Sequence, residues 1–179
     1  LSALRTEMMR HLSNPTFVRV ALLSGAHLPV MDAVLRSSDP YAVISLNGTN
    51  LYTTTTKPRT LRPKWVQGTE DEVCLCVTSW KTADAMTFLL FDRDSSFGAN
   101  EYTAAADTED DEIGRVTFQI ATTKDGTYTV PLCLPEDVVP SSATEVPVIT
   151  YSVHRIDIFP KLTLLDARLL KSIEALEQE

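Results

Sequence analysis

Residues 38–56 read SDPYAVISLNGTNLYTTTT and contain the clearest local folding signal of the chain. The apolar run Tyr41–Leu46 predicts a buried strand, and the pair Asn47–Gly48 is typical of a tight hairpin turn. The next run, Leu51–Thr56, is rich in β-branched threonine, which favours a second strand with one face toward solvent. This part of the sequence therefore predicts an antiparallel β-hairpin.

Short strand-like runs separated by Pro, Gly, Asp and Ser continue on both sides of the hairpin. Because no helical periodicity occurs between residues 17 and 159, the pattern predicts an all-β fold, an eight-stranded antiparallel β-sandwich. The predicted strands are Phe17–Leu23, Tyr41–Leu46, Leu51–Thr56, Glu72–Val77, Met86–Phe91, Ile113–Ile120, Tyr128–Leu132 and Val146–Ile158.

The two ends of the chain have a different pattern. Leu4, Met8 and Leu12 are spaced by four residues, which predicts a short helix. Residues 161–179 repeat apolar positions at steps of three and four and predict an amphipathic helix. We therefore divide the chain into an N-terminal helical extension (1–16), a sandwich domain (17–159) and a C-terminal amphipathic helix (160–179). Since the chain begins with Leu rather than Met, we expect it to be a module of a larger protein.

The composition excludes several classes of protein. Apolar residues make up 44% of the 179 residues, enough for a core, so a disordered tail is excluded. No apolar run reaches the roughly 18–20 residues of a membrane-spanning helix. A net charge of −8 disfavours nucleic-acid binding. The odd number of cysteines, three, suits the reducing cytoplasm better than a disulfide framework. Since the sequence lacks the signatures of catalytic and phosphate-binding motifs, we expect no enzymatic activity.

The negative charge is concentrated in one segment. Residues 92–112 hold eight acidic residues and one basic residue, Arg93, so this segment carries −7 of the net −8. Further aspartates follow the first predicted strand. Because the loops of a sandwich cluster at its two ends, we expect these carboxylates to converge at one end. The aspartates in question are Asp32, Asp39, Asp92, Asp94 and Asp111.

Clustered carboxylates repel one another unless a cation lies between them. Several hard oxygen ligands on loops suit Ca²⁺, whereas Mg²⁺ prefers a stricter octahedron and zinc requires His and Cys at spacings that the chain lacks. The segment from Asp92 begins like an EF-hand loop, but its sixth position is Phe97 instead of Gly and its twelfth is Thr103 instead of Glu. The sequence therefore predicts a calcium site on the loops of a β-sandwich and not an EF-hand.

Five motifs, in their order along the chain, resemble the C2 domain family over roughly residues 17–159. The motifs Thr-Leu-x-Pro-x-Trp and Ser-Asp-Pro-Tyr are specific in combination, although each alone is weak. The resemblance implies an eight-stranded sandwich in the type II permutation, with three loops at one end. The motifs are Val18–Leu28, Ser38–Tyr41, Thr60–Trp65, Phe91–Asp94 and Asp111–Gly114.

The resemblance also implies a ligand set. Many C2 domains bind two or three Ca²⁺ ions through five aspartates of the first and third loops, and the five matching positions here are the five aspartates named above. The backbone carbonyls of Met31 and Arg93 are the expected additional ligands. The chain departs from the family in the acidic insertion Ser95–Asp110, which lengthens the third loop, and in a thin basic patch, since Leu51–Thr56 offers threonine in place of lysine.

These features predict a calcium-dependent phospholipid-binding module that recruits a larger parent protein to anionic membranes in trafficking, exocytosis or signalling. We expect a cytoplasmic location with peripheral membrane association when calcium binds. Apolar side chains near the loop tips are the candidates for insertion into the membrane. They are Val34, Leu35, Phe97 and Tyr102.

Two other functions remain open at this stage. The first is a calcium-independent protein-interaction or scaffold domain within a larger assembly, with a protein partner contacting the C-terminal helix. The second is the targeting domain of an enzyme whose catalytic part lies elsewhere in the parent protein. Neither alternative involves nucleic acid or a transmembrane segment.

Overall fold

The computed structural model of the chain describes residues 16–65, 72–77, 83–94 and 110–157. The strands in these residues are β1 (Thr16–Ala26), β2 (Pro40–Leu46), β3 (Thr49–Thr53), β4 (Glu72–Val77), β5 (Ala85–Asp92), β6 (Asp111–Gln119), β7 (Gly126–Pro131) and β8 (Val148–Asp157). The described residues contain no helix. The helices predicted for residues 1–12 and 161–179 lie outside them.

The strands form two antiparallel sheets, with the orders β4-β1-β8-β7 and β3-β2-β5-β6. The predicted all-β antiparallel architecture is therefore confirmed. The first and last strands are neighbours, because β1 pairs with β8 from Thr16 opposite Asp157 to Ala26 opposite Val148. The type II permutation that the resemblance implied stays a prediction.

The core lies between the two sheets and follows from the period-two alternation of side chains along a strand. In β5 every second residue is buried, while in β2 Pro40–Ser45 are all buried, as expected for a strand covered on both faces. The largest fully buried side chains include Tyr41, Phe88, Leu22, Leu28 and Ile44. Trp65 is also buried, and its indole N–H donates to the carbonyl of Thr55 at 3.1 Å.

The predicted hairpin is present, but its second strand ends early. Asn47 and Gly48 have φ values of 49° and 79°, the left-handed backbone that a tight hairpin turn requires. β3 stops at Thr53 instead of Thr56. The reason is that the Thr54 hydroxyl, and not the Thr54 carbonyl, accepts the N–H of Ala42 at 2.9 Å. The chain still follows β2 beyond this point, because the Thr54 N–H donates to the Ala42 carbonyl and the Lys57 N–H donates to the Pro40 carbonyl, both at 2.9 Å.

Candidate metal centre

The strand register brings acidic residues together at one end of the sheet that contains β5. Asp92, the last residue of β5, lies opposite Pro40 on one side and opposite Asp111 on the other. The Asp39 N–H donates to Asp92 Oδ1, and the Arg93 N–H donates back to the Asp39 carbonyl at 3.1 Å. Asp39, Asp92 and Asp111 are therefore neighbours even though they come from three separate parts of the sequence.

The environment of Asp92 is unfavourable for its negative charge. The residue is buried, and its pKa is raised from 3.8 to about 6, chiefly because burial removes water from the carboxylate. The neighbouring carboxylates of Asp39, Asp94 and Asp111 raise the pKa further, whereas the hydrogen bond from the Asp39 N–H lowers it. A cation placed among these groups would relieve both the repulsion and the loss of solvation.

Asp94 is held by a residue that the sequence analysis did not select. The Asp94 N–H donates to Asp110 Oδ1 at 3.0 Å, and the Tyr41 hydroxyl donates to Asp110 Oδ2 at 2.6 Å. Asp110 thus connects the end of β5 to the buried tyrosine of the Ser-Asp-Pro-Tyr motif. The adjacent aspartates Asp110 and Asp111 at the start of β6 were visible in the sequence, but the contact with Tyr41 spans 69 positions and has no local signal.

Arg93 lies between Asp92 and Asp94 and packs over the ring of Tyr41. The centre of its guanidinium is 4.6 Å from the ring centroid, and Phe91 stacks with the same tyrosine at 5.7 Å. This geometry is a cation–π contact. The Arg93 Nε is buried without a hydrogen-bond partner among the described residues. The predicted use of its carbonyl as a metal ligand stays a prediction.

Asp32 shapes the first loop, which connects β1 to β2, through its own carboxylate. Its Oδ1 accepts the N–H groups of Val34 and Leu35 at 2.8 and 3.0 Å, and its N–H donates to the Ser37 carbonyl. The loop is therefore a compact turn. Val34 and Leu35, two of the predicted membrane-contact residues, are 89% and 54% exposed at its tip. The other two, Phe97 and Tyr102, lie outside the described residues.

Ser38 and the connection after β3 fix the base of this loop. The Ser38 hydroxyl accepts the Met31 N–H at 3.1 Å and donates to the Pro29 carbonyl at 2.7 Å. The Asp39 Oδ1 accepts the N–H of Arg59 from the connection between β3 and β4. The Ser-Asp pair of the motif thus ties two connections to the start of β2 and sets the position of Asp39.

These residues have the ligand chemistry of a calcium site, but they do not surround a single position. Hard carboxylate oxygens at the end of a sandwich are the ligands that Ca²⁺ prefers. Within the described ranges, however, no three Asp, Glu, His or Cys side chains are arranged to hold one ion. The structure therefore brings Asp39, Asp92, Asp94 and Asp111 into mutual electrostatic range without closing their oxygens around a common point.

The fold and the sequence motifs together define the family. The family model described as the C2 domain matches residues 16–132, and the chain belongs to this family. None of the curated proteins with which the chain was compared matches it. The part of the chain that the structure describes has no helix with the length and hydropathy of a membrane span.

Solved structures of C2-containing proteins have the same fold. The first C2 domain of plant Extended Synaptotagmin 1 is 14% identical with a TM-score of 0.54, over 79% of this chain and 94% of that one. The tandem C2 domains of Extended-Synaptotagmin 2 are 20% identical with a TM-score of 0.56, over 89% and 47%. Human GIVD cytosolic phospholipase A2 is 18% identical with a TM-score of 0.55, over 80% of this chain and 16% of that one. At these identities the similarity shows the fold alone.

Proposed function

We propose that the chain is a calcium-dependent phospholipid-binding C2 module that recruits a larger parent protein to anionic membranes in trafficking, exocytosis or signalling. The observation that carries this proposal is the buried Asp92 carboxylate among Asp39, Asp94 and Asp111, with its pKa raised to about 6. A fold keeps such a cluster at the cost of stability, and a bound cation would offset that cost.

The proposed calcium ligands are the five aspartates of the first and third loops, with the carbonyls of Met31 and Arg93. We expect two or three ions. Bound Ca²⁺ supplies positive charge and coordination positions for lipid phosphate. Two ions would change the net charge from −8 to −4, and three would change it to −2. The aspartates are Asp32, Asp39, Asp92, Asp94 and Asp111.

The chain's own contribution to membrane docking is the rigid tip of the first loop. Because the Asp32 carboxylate accepts the N–H groups of Val34 and Leu35, the side chains of these two residues are exposed to solvent in the absence of a membrane. Transfer of one such side chain out of water contributes roughly 1.5–3 kcal/mol when it is fully buried. Phe97 and Tyr102 are the proposed third-loop contacts. The proposed location is the cytoplasm, with reversible membrane association, and no catalytic role is assigned.

Liposome co-sedimentation of the full chain tests this function. Phosphatidylserine vesicles are mixed with the protein in Ca²⁺ or in chelator, and the proposal predicts pelleting in Ca²⁺ alone. Asp92→Ala with Asp94→Ala should abolish the calcium response. Glu136→Gln, which removes a negative charge from the exposed connection after β7, should keep it. Equal pelleting with Ca²⁺ and with chelator would contradict the proposed calcium dependence of vesicle binding.

A second candidate function is a calcium-independent protein-interaction domain. It is favoured by the hydrogen bonds that already occupy the acidic side chains. Asp32 accepts two N–H groups of its own loop, Asp39 accepts the Arg59 N–H, and Asp92 accepts the Asp39 N–H. Two results together would favour this candidate over the first. They are a calorimetric titration that detects no heat of Ca²⁺ binding, and a protein partner whose binding requires residues 161–179.

A further inference from the structure

A groove lies beside the acidic cluster and shares Asp111 with it. It is lined by Val30 and Met31 of the first loop, by Asp111 and Glu112 at the start of β6, and by Pro135, Asp137, Val138 and Val139 of the connection between β7 and β8. We call it the connection groove. Its volume is about 460 Å³, within the roughly 300–1,000 Å³ of sites that bind ligands.

The connection groove is held open by contacts at both ends of the connection. Near β7, Cys133 and Arg115 exchange two backbone hydrogen bonds of 2.8 and 2.9 Å, which fix the connection to β6. Near β8, Glu145 pairs with His27 at 2.8 Å, and the Ser141 hydroxyl donates to the His27 carbonyl at 3.4 Å. A preformed groove costs a ligand little ordering free energy.

The walls of the connection groove combine apolar surface with negative charge. Met31 packs partly against the core, while Val139 is 75% exposed and offers apolar surface to a ligand. Glu112 is neutralised by Arg115, which donates to both of its oxygens at 2.8 and 2.7 Å. Among the described residues, no ion pair involves Asp111 or Asp137. These two carboxylates are the uncompensated charges of the groove.

We propose that the connection groove binds a peptide segment of a protein partner that carries both basic and apolar side chains. The apolar residues of such a segment can contact Val30, Val138 and Val139 while its ammonium groups reach Asp111 and Asp137. A purely acidic segment is repelled, and a purely polar one leaves the valines in water. The proposal requires no bound calcium.

Fluorescence anisotropy of the full chain in chelator tests this proposal. The probe is a labelled nine-residue peptide of alternating lysine and valine. Two control peptides replace every lysine by glutamate or every valine by serine. Binding of the first peptide alone is the expected result. Equal binding of the lysine–serine peptide would overturn the proposal, because charge without apolar contact would then suffice.

Matched variants test whether the peptide binds in the connection groove. Asp137→Lys should weaken binding roughly tenfold, whereas Glu136→Lys, the same charge change on an adjacent residue that does not line the groove, should weaken it far less. Val139→Ser should weaken binding roughly fivefold, and Val146→Ser, an exposed valine of the same connection away from the groove, should leave it unchanged.

Equal effects of the two lysine variants, or of the two serine variants, would overturn the assignment. Binding of vesicles in chelator that Val139→Ser abolishes, without peptide binding, would assign the groove to lipid and also overturn it. Circular dichroism of each variant confirms that the exposed substitutions leave the fold intact. If the unsubstituted chain does not bind vesicles in a calcium-dependent way, the proposed function is contradicted, but the peptide proposal is not.

Discussion

Asp92 is the residue at which stability and the proposed calcium binding oppose each other. Its folded-state pKa of about 6 lies above the 3.8 of an exposed aspartate, so the folded chain binds a proton here more tightly than the unfolded chain. The ionised carboxylate therefore destabilises the fold as pH rises above 3.8, and the full penalty is present above about pH 6. Its size is at most roughly 3 kcal/mol.

Asp92→Asn removes this penalty and keeps an oxygen that accepts the Asp39 N–H. In chelator at pH 7.5 we expect the variant to be more stable than the unsubstituted chain by roughly 1–3 kcal/mol in urea unfolding. At pH 4 the two should be equal, because Asp92 is then protonated in the folded chain. The stabilisation by Ca²⁺ should be lost. A variant that is less stable at pH 7.5 in chelator would show that the carboxylate itself holds the fold together.

The contacts of Tyr41 and Arg93 could not be predicted from patterns in the sequence. The motif Ser-Asp-Pro-Tyr and the acidic residues after the predicted strands predicted that Asp39, Asp92, Asp94 and Asp111 lie near one another, since strand ends and loop clusters follow from local patterns. The convergence of Asp32 with them stays a prediction. The hydrogen bond from Tyr41 to Asp110 and the packing of Arg93 over Tyr41 depend on how distant segments meet. Residue spacing contains no information on either contact.

At the scale of elements, the end of β3 depends on one hydroxyl. Thr54→Val is nearly isosteric but leaves the buried N–H of Ala42 without its acceptor, so we expect a loss of roughly 1–3 kcal/mol of unfolding free energy. Thr53→Val is the matched control, because the Thr53 hydroxyl is already buried without a partner among the described residues. That variant should be neutral or more stable. Equal losses for both in urea unfolding would contradict the assigned role of Thr54.

A second element-scale prediction concerns the start of β6. Gly114 lies so close to the connection after β7 that a Cβ there would be 2.7 Å from the Cys133 carbonyl oxygen and 2.9 Å from Leu132 Cγ. Gly114→Ala should therefore lower the free energy of unfolding by roughly 1–3 kcal/mol. Gly48→Ala is a comparison for the effect of φ alone, because no atom lies within 4 Å of its Cβ position. A Gly114→Ala variant as stable as the unsubstituted chain in thermal unfolding would contradict the close approach.

The elements themselves were largely predictable, and their ends were not. Strand periodicity and the Asn-Gly turn depend on neighbouring residues, so the hairpin and the positions of the other described strands followed from the sequence. The early end of β3 depends on Ala42, twelve residues from Thr54. The connection groove depends on where Pro135 and residues 137–139 lie relative to the first loop and β6, for which the sequence has no pattern.

At the scale of the whole molecule, the pairing of β1 with β8 decides which connections share an end. With the first and last strands as neighbours, the connection between β7 and β8 lies beside the first loop at the acidic end. Periodicity predicted a sandwich, but it did not predict this order. The match over residues 16–132 supports the similarity of the five motifs to the C2 family, but it ends before β8 and does not bear on this pairing.

The measurement that tests the central proposal most directly is calorimetric titration of the full chain with Ca²⁺, alone and with phosphatidylserine vesicles. If the carboxylates around Asp92 form a calcium site that lipid phosphate completes, calcium heat should appear in both titrations, with an affinity roughly tenfold higher when vesicles are present. Phosphatidylcholine vesicles should produce a smaller increase. The absence of calcium heat in both titrations would contradict the account.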